Sequence, residues 1–221
     1  MKILSIDTSS NICSVAILQD KKIIYEKNID NQLTHSQKLM PMIQECMDNA
    51  SISIRDIDIF ACSKGPGSFT GIRIGIATIT AFVDVFKKPA FGITSLEGLA
   101  YNVENEGLIC SLIDAKNDNV YCGLFKLDNN QYTLLQDYTS DHIDNIFQTL
   151  FMYKNEKITF VGDGAVLHKN KLSSYFNNSL FCSNNKASAK SIGLAAFDKL
   201  ILRRIWKTYL PISSLFKKIS S

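Results

Sequence analysis

The sequence predicts an α/β protein made of two successive sections of similar plan, and three observations carry that prediction. Three short strand-like runs open the chain ahead of the first helical pattern. A strand, a glycine turn and a long apolar helix then follow one another directly over residues 57–86. After the polar stretch 102–107 a rhythm of strands, helix and strand starts again. A length of 221 residues fits one or two domains, and a hydrophobic content of 46% is ample for a sizeable core.

Residues 2–6, 14–18 and 23–27 read as strands. The last two are joined by the polar turn Gln19, Asp20, Lys21 and Lys22, which predicts a three-stranded antiparallel start. Over 34–50, Leu39, Met40, Ile43, Cys46, Met47 and Ala50 recur at helical spacing, and Thr34 with Gln37 fits a capping box. Pro41 inside that pattern removes one backbone hydrogen bond and predicts a kink. Residues 57–62 read as a short buried strand. Gly65, Pro66 and Gly67 then supply the backbone freedom and the fixed φ of a tight turn, and Ser68 or Thr70 caps a helix that runs to Phe86.

In that helix Ile72, Ile74, Ile76, Ile79, Ala81, Phe82, Val83, Val85 and Phe86 surround the axis, and Arg73 and Asp84 are the charges. The pattern predicts a helix buried on all sides, one face on a sheet and the other under a second cover. Gly71 and Gly75 share one face, which lets another backbone come close. On these residues alone, that backbone belongs either to the domain's own core or to a second chain. A strand over 90–93 and a short helix over 95–101 complete the section, giving the order βββαβαβ.

The polar stretch 102–107 marks the boundary, which predicts one domain over 1–102 and a smaller one over 103–221. In the second, residues 108–113, 120–126 and 132–136 read as strands. Residues 141–152 read as a helix with Ile143, Ile146, Phe147 and Leu150 inward, 157–161 as a strand, and 187–204 as a final helix.

Several chemistries find little support. No apolar run reaches the roughly 18 residues that span a bilayer, and the opening Met-Lys-Ile-Leu-Ser-Ile-Asp carries no cleavable signal pattern, which predicts a cytoplasmic protein without a membrane segment. The six cysteines are scattered singly, as expected of buried thiols rather than of a disulfide framework or zinc site. His35, His142 and His168 lack the spacing of a metal set and read as surface or capping residues. A net charge of +3, with basic residues gathered only at Arg203, Arg204, Lys207, Lys217 and Lys218, is too small to argue for nucleic-acid binding by itself. The turn at Gly65 to Gly67 lacks the Lys-Ser/Thr ending of a P-loop. Asp7, Thr8 and Ser9 end the first strand and either hold a metal-bound phosphate or cap the chain. Gly162, Asp163 and Gly164 permit a close approach but assign no role.

Residues 1–9, 34–43, 63–75 and 95–100 closely resemble the TsaB (YeaZ) family, the dimerisation subunit of bacterial tRNA threonylcarbamoyladenosine synthesis. Asp114, Ala115 and Lys116 with Val120 and Tyr121 are similar to that family's Asp-Ala-Arg…Val-Tyr segment, with lysine for arginine. The resemblance implies an actin-like or sugar-kinase-like (ASKHA) fold of two lobes, each a mixed five-stranded sheet flanked by helices. It implies a non-catalytic, cofactor-free scaffold that binds and activates the catalytic relative TsaD in N6-threonylcarbamoylation of the adenosine 3′ of the anticodon in tRNAs reading codons that begin with A. It further implies partnership with the ATPase TsaE, a homodimer when TsaD is absent, and contact with tRNA only through the complex.

Where TsaD carries a metal-binding His-x-x-x-His pair, the matching residues here are Ser95 and Leu99, with Glu97 and Gly98 between them. The partner interface implied by the family comprises His35, Leu39 and Ile43 on one helix and Gly71, Ile72, Gly75, Ile76, Ile79 and Phe82 on the next. The ending Tyr209-Leu210-Pro211-Ile212 departs from the family's Pro-x-Tyr-Leu-Arg segment. The alternative reading is an actin-like ATPase or small-molecule kinase that uses Asp7, Thr8 and Ser9 with Gly65 to Gly67 as phosphate contacts.

Overall fold

The computed structural model describes residues 1–30 and 35–206, the last four without their side chains. Thr34, Lys207, Tyr209 to Ile212, Lys217 and Lys218 therefore lie outside the described residues. The chain divides into two compact units, Met1–Ser95 with the segment that begins at Ala187, and Leu96–Lys186.

In the first unit β1 (Lys2–Asp7), β2 (Ile12–Gln19) and β3 (Lys22–Asp30) form the expected antiparallel start. After α1 (His35–Ala50) the chain returns as β4 (Ile59–Ser63), parallel to β1. It then passes through α2 (Phe69–Phe86) and adds β5 (Ala90–Ile93) parallel to β4. The sheet order is β3-β2-β1-β4-β5. Because side chains alternate along a strand, Leu4, Ile6, Val15, Ile17, Phe60 and Cys62 face α1 and α2 in one core, while Ser5 and Leu18 face the other way. Pro41 sits at an exposed position and does not end α1.

That second face is covered by the last helix, α7 (Ala189–Trp206). The division expected at residues 102/103 placed this helix in the second domain; here it belongs to the first unit. Its N-terminal amides and hydroxyls explain the difference. Ser5 Oγ donates to Ala189 O at 2.7 Å, Ser14 Oγ accepts from Ala189 N at 2.7 Å, and Ser188 Oγ donates to Glu26 at 2.6 Å. Gly193 lets the helix descend further, since a methyl there would lie 2.4 Å from Leu18 and 2.8 Å from Ser5 Oγ.

The second unit begins in α3 (Ser95–Ala100) and holds β6 (Gly107–Asp114), β7 (Asn119–Asp128), β8 (Gln131–Leu134), β9 (Thr139–His142), α4 (Ile143–Thr149), β10 (Lys157–Val161), α5 (Asp163–Leu167), α6 (Lys169–Tyr175) and β11 (Asn178–Phe181). Its sheet runs β11-β10-β6-β7-β8, with β9 also paired to β7. It has six strands where five were expected. Cys110, Leu112, Phe160 and Phe176 lie in a core with α4 and α6, and Ile109, Phe125 and Val161 in another with Leu96 and Leu99 of α3. The segment expected to be helical over 141–152 opens instead as β9, and His142 Nδ1 caps α4 by accepting from Asp144 N.

Removing the Ser14 hydroxyl leaves Ala189 N, a buried donor, without its acceptor. Ser14→Ala is expected to lower stability by about 1 to 3 kcal/mol in urea unfolding; an unchanged midpoint contradicts the anchoring role of Ser14.

Candidate docking surface

The site is organised by the turn after β1 and the glycine loop that meets it. Gly67, at φ +149°, lies against the chain's own backbone: a methyl there would be 2.1 Å from Ser9 O. Ser68 N donates to the same carbonyl at 2.7 Å, and Ser68 Oγ caps α2 by accepting from Gly71 N. Asp7 Oδ1 accepts from Ser9 N at 2.9 Å and from Ser9 Oγ at 2.7 Å. Asp7, Thr8 and Ser9 are all buried, and burial pushes the Asp7 carboxyl above its ordinary range. The capping role weighed for these residues is present in the geometry, and the turn has closed on itself.

Further into α2, the two glycines also meet the chain's own atoms, Gly71 the backbone of Thr8 and Gly75 its side chain. A methyl on Gly71 would lie 2.0 Å from Thr8 O, and one on Gly75 2.6 Å from Thr8 Oγ1. Their close approach is therefore within the domain. Leu39, Ile43, Ile76 and Ile79, expected at a partner interface, are likewise buried in the first unit's own core. Ile72 and Phe82 are half-buried, the latter with its ring 5.4 Å from that of Phe60. His35 is half-buried, its Nε2 2.8 Å from Ser10 O; a carbonyl only accepts, so Nε2 carries the hydrogen.

The expectation of a helix buried all round is also corrected. The buried residues of α2 are Gly71, Gly75, Ile76, Ile79 and Val83. Opposite them Phe69 (64% exposed), Arg73, Ala77, Ala81, Asp84 and Val85 (71%) face outward. Arg73 stands 5.3 Å from the Phe69 ring centroid. The two charges mark this side. By length and composition alone α2 is apolar enough to cross a membrane, contrary to the expectation that no apolar run is long enough, because an average tolerates Arg73 and Asp84. Its glycine side, however, is fitted to Thr8, and its isoleucines to the sheet.

The remaining candidates are structural. Ser95 Oγ is 2.8 Å from Ser63 Oγ, and Leu99 is packed in the second unit's core. Among the described residues no group of three or more His, Cys, Asp or Glu is placed to hold a metal. Asp114 accepts from Lys116 N and Nζ, at 2.8 and 2.6 Å, and the lysine holds its carboxyl below the usual range. Gly162 approaches a strand rather than a ligand, since a methyl there would be 2.1 Å from Leu112 O. His142 caps α4, and His168, though buried, stands at the α5–α6 junction as the C-cap of α5 and the N-cap of α6, so both take the capping position expected of them. Five of the six thiols are buried, and burial pushes Cys13 up to about 11 and Cys62 up to about 12, so neither is a nucleophile at neutral pH.

A family model described as "TsaD: tRNA N6-adenosine threonylcarbamoyltransferase" matches residues 28–205. A relative from Buchnera aphidicola subsp. Schizaphis graminum, "tRNA threonylcarbamoyladenosine biosynthesis protein TsaB", is 37% identical over 166 residues, which cover 73% of this chain and 78% of the relative. Among solved structures, YeaZ from Pseudomonas aeruginosa superposes with a TM-score of 0.74 at 23% identity, covering 90% of this chain and 92% of that one. The ROK hexokinase from Thermus thermophilus superposes at 0.52 with 9% identity, covering 91% and 99%. The last two show the fold, an actin-like and sugar-kinase-like one.

The Asp7 carboxyl provides a test of the closed turn. Its folded pKa is raised, so its contribution to stability is fully present below the unfolded value of about 3.9 and is lost as pH rises through the folded value. Asp7→Asn keeps an acceptor for Ser9 without the charge. The stability of wild type minus that of Asp7→Asn is expected to fall as pH rises from about 4; parallel curves rule out a carboxyl held up by burial.

Proposed function

This chain belongs to the TsaB family and takes part in tRNA threonylcarbamoyladenosine biosynthesis, and on that premise we propose that it works there by docking rather than by catalysis. Its partner is TsaD, which it binds and activates, and the exposed side of α2 is the surface it offers. The observation that carries the reading is the line of Phe69, Arg73, Ala77, Ala81 and Val85, exposed on a helix otherwise seated in the core. Ala77 and Ala81 stand four residues apart on that side and take over the close helix approach first expected of Gly71 and Gly75. Covering Phe69 or Val85 fully contributes about 1.5 to 3 kcal/mol each. In the absence of TsaD the same side pairs two copies of this chain, TsaE joins through the complex, and tRNA is met only there, in the cytoplasm.

Two further observations favour a non-catalytic role. At the positions of the relative's histidine pair, Ser95 is engaged with Ser63 and Leu99 fills a core; neither arrangement suits a metal ion. The kinase or ATPase alternative requires the turns at Asp7 and Gly67 to receive phosphates, yet Ser68 N donates to Ser9 O and the Asp7 carboxyl accepts from Ser9.

Light scattering on this chain mixed with TsaD of the same organism tests the reading. A joint complex is expected for wild type. Ala77→Glu, exposed and within a helix, is expected to keep the thermal midpoint but weaken the complex about a hundredfold or more by placing a charge in a dry contact; undiminished assembly removes α2 from the interface. Calorimetric titration with Mg-ATP is expected to give no heat, and micromolar binding would restore the ATPase alternative.

A further inference from the structure

We infer that Thr8 is the positioning residue of the docking helix: it fixes the rotation and height of α2, so that partner affinity depends on a side chain the partner does not touch. The inference rests on reading the exposed side of α2 as the docking surface.

Thr8 is 2% exposed, and its Oγ1 donates to Gly71 O at 2.8 Å. The residue fills a notch whose two sides are the bare α-carbons of Gly71 and Gly75, with Thr8 O against the first and Oγ1 against the second. The neighbours of these glycines, Ile72 and Ile76, are large. Consecutive helical residues are rotated by about 100°, so turning α2 by one residue would drive an isoleucine into Thr8. The same turn would swing the line of Arg73, Ala77 and Ala81 about 100° off its direction. The notch is therefore a key that admits one setting of the helix.

Two adjacent contacts refer to the same turn. Ser68 N on Ser9 O holds the start of α2, and His35 Nε2 on Ser10 O holds the start of α1. The hydroxyl of Thr8 is separable from plain stability. Gly71 O lies inside α2 and has the amide of Gly75 as its regular helical partner. Losing the hydroxyl leaves no carbonyl unpaired: it removes the bond that ties the notch to Gly71 while keeping the bulk that fills it.

Isothermal titration with TsaD from the same organism, on the full chain, decides the matter for wild type, Thr8→Val, Thr8→Ser and Ala77→Glu, with the thermal midpoint of each recorded. Thr8→Val is expected to weaken binding about tenfold at a nearly unchanged midpoint, because the helix keeps its packing but loses the bond that fixes its setting. Thr8→Ser is expected to restore affinity to within about twofold, and Ala77→Glu to lose it. Wild-type affinity in Thr8→Val beside a loss in Ala77→Glu overturns the inference and leaves the docking surface standing. It is also overturned if Thr8→Ser binds no better than Thr8→Val, or if affinity only follows the midpoint down. Undiminished binding by Ala77→Glu overturns the docking surface itself and this inference with it. Should Thr8→Val fail to fold, Thr8→Ala, which empties the notch, is judged by the same criterion: weaker binding supports the inference and wild-type affinity overturns it.

Discussion

The first unit depends on the contact of one residue, Thr8, with the bare backbone of a helix. The end of β1 and the first turns of α2 come so near that no side chain fits at positions 71 and 75, and every other placement of that helix follows. With the glycines turned inward, Ile76, Ile79 and Val83 join the core shared with β1, β2 and β4, and Arg73, Ala77 and Ala81 turn outward. The same approach closes the glycine loop over Ser9, where Ser68 N donates to Ser9 O and Ser9 Oγ donates to Asp7.

Much of this architecture is legible in the sequence, for identifiable reasons. Strands that alternate about a buried sheet and helices of four or more turns declare themselves by period, and β1 to β5, α1 and α2 fall within a few residues of their expected limits. Periodicity tells which residues share a face but not what lies opposite it. Gly71 and Gly75 were therefore readable as a close-approach face, while Thr8 as their occupant was not. The outward side carried its own signal in Arg73 and Asp84, outweighed by the number of isoleucines around them. Between Val161 and the final helix, α5 has five residues, α6 seven and β11 four, too short for a period to emerge. Nor could spacing show where α7 belongs, because Ser5 and Ala189 meet across 184 positions.

The two units use similar materials to different ends. In both, a glycine-bearing turn follows a parallel strand and presses on a neighbouring strand's end: Gly67 on Ser9, and Gly162 on Leu112. In the first, the turn leads into an 18-residue helix with an uncovered side; in the second, into one of five residues.

The return of α7 to the first sheet bears on how the protein is made. The first unit is discontinuous, interrupted by the whole of Leu96–Lys186. As the chain leaves the ribosome, β1 to β5 emerge early, yet the face that carries Ser5 and Leu18 has no cover until Ala189 and the residues after it have been synthesised. The second unit is continuous and complete at Lys186. The usual order of vectorial folding, N-terminal domain first, is therefore reversed: the later lobe is the first that can finish, and the earlier one waits as an open sheet in need of shelter.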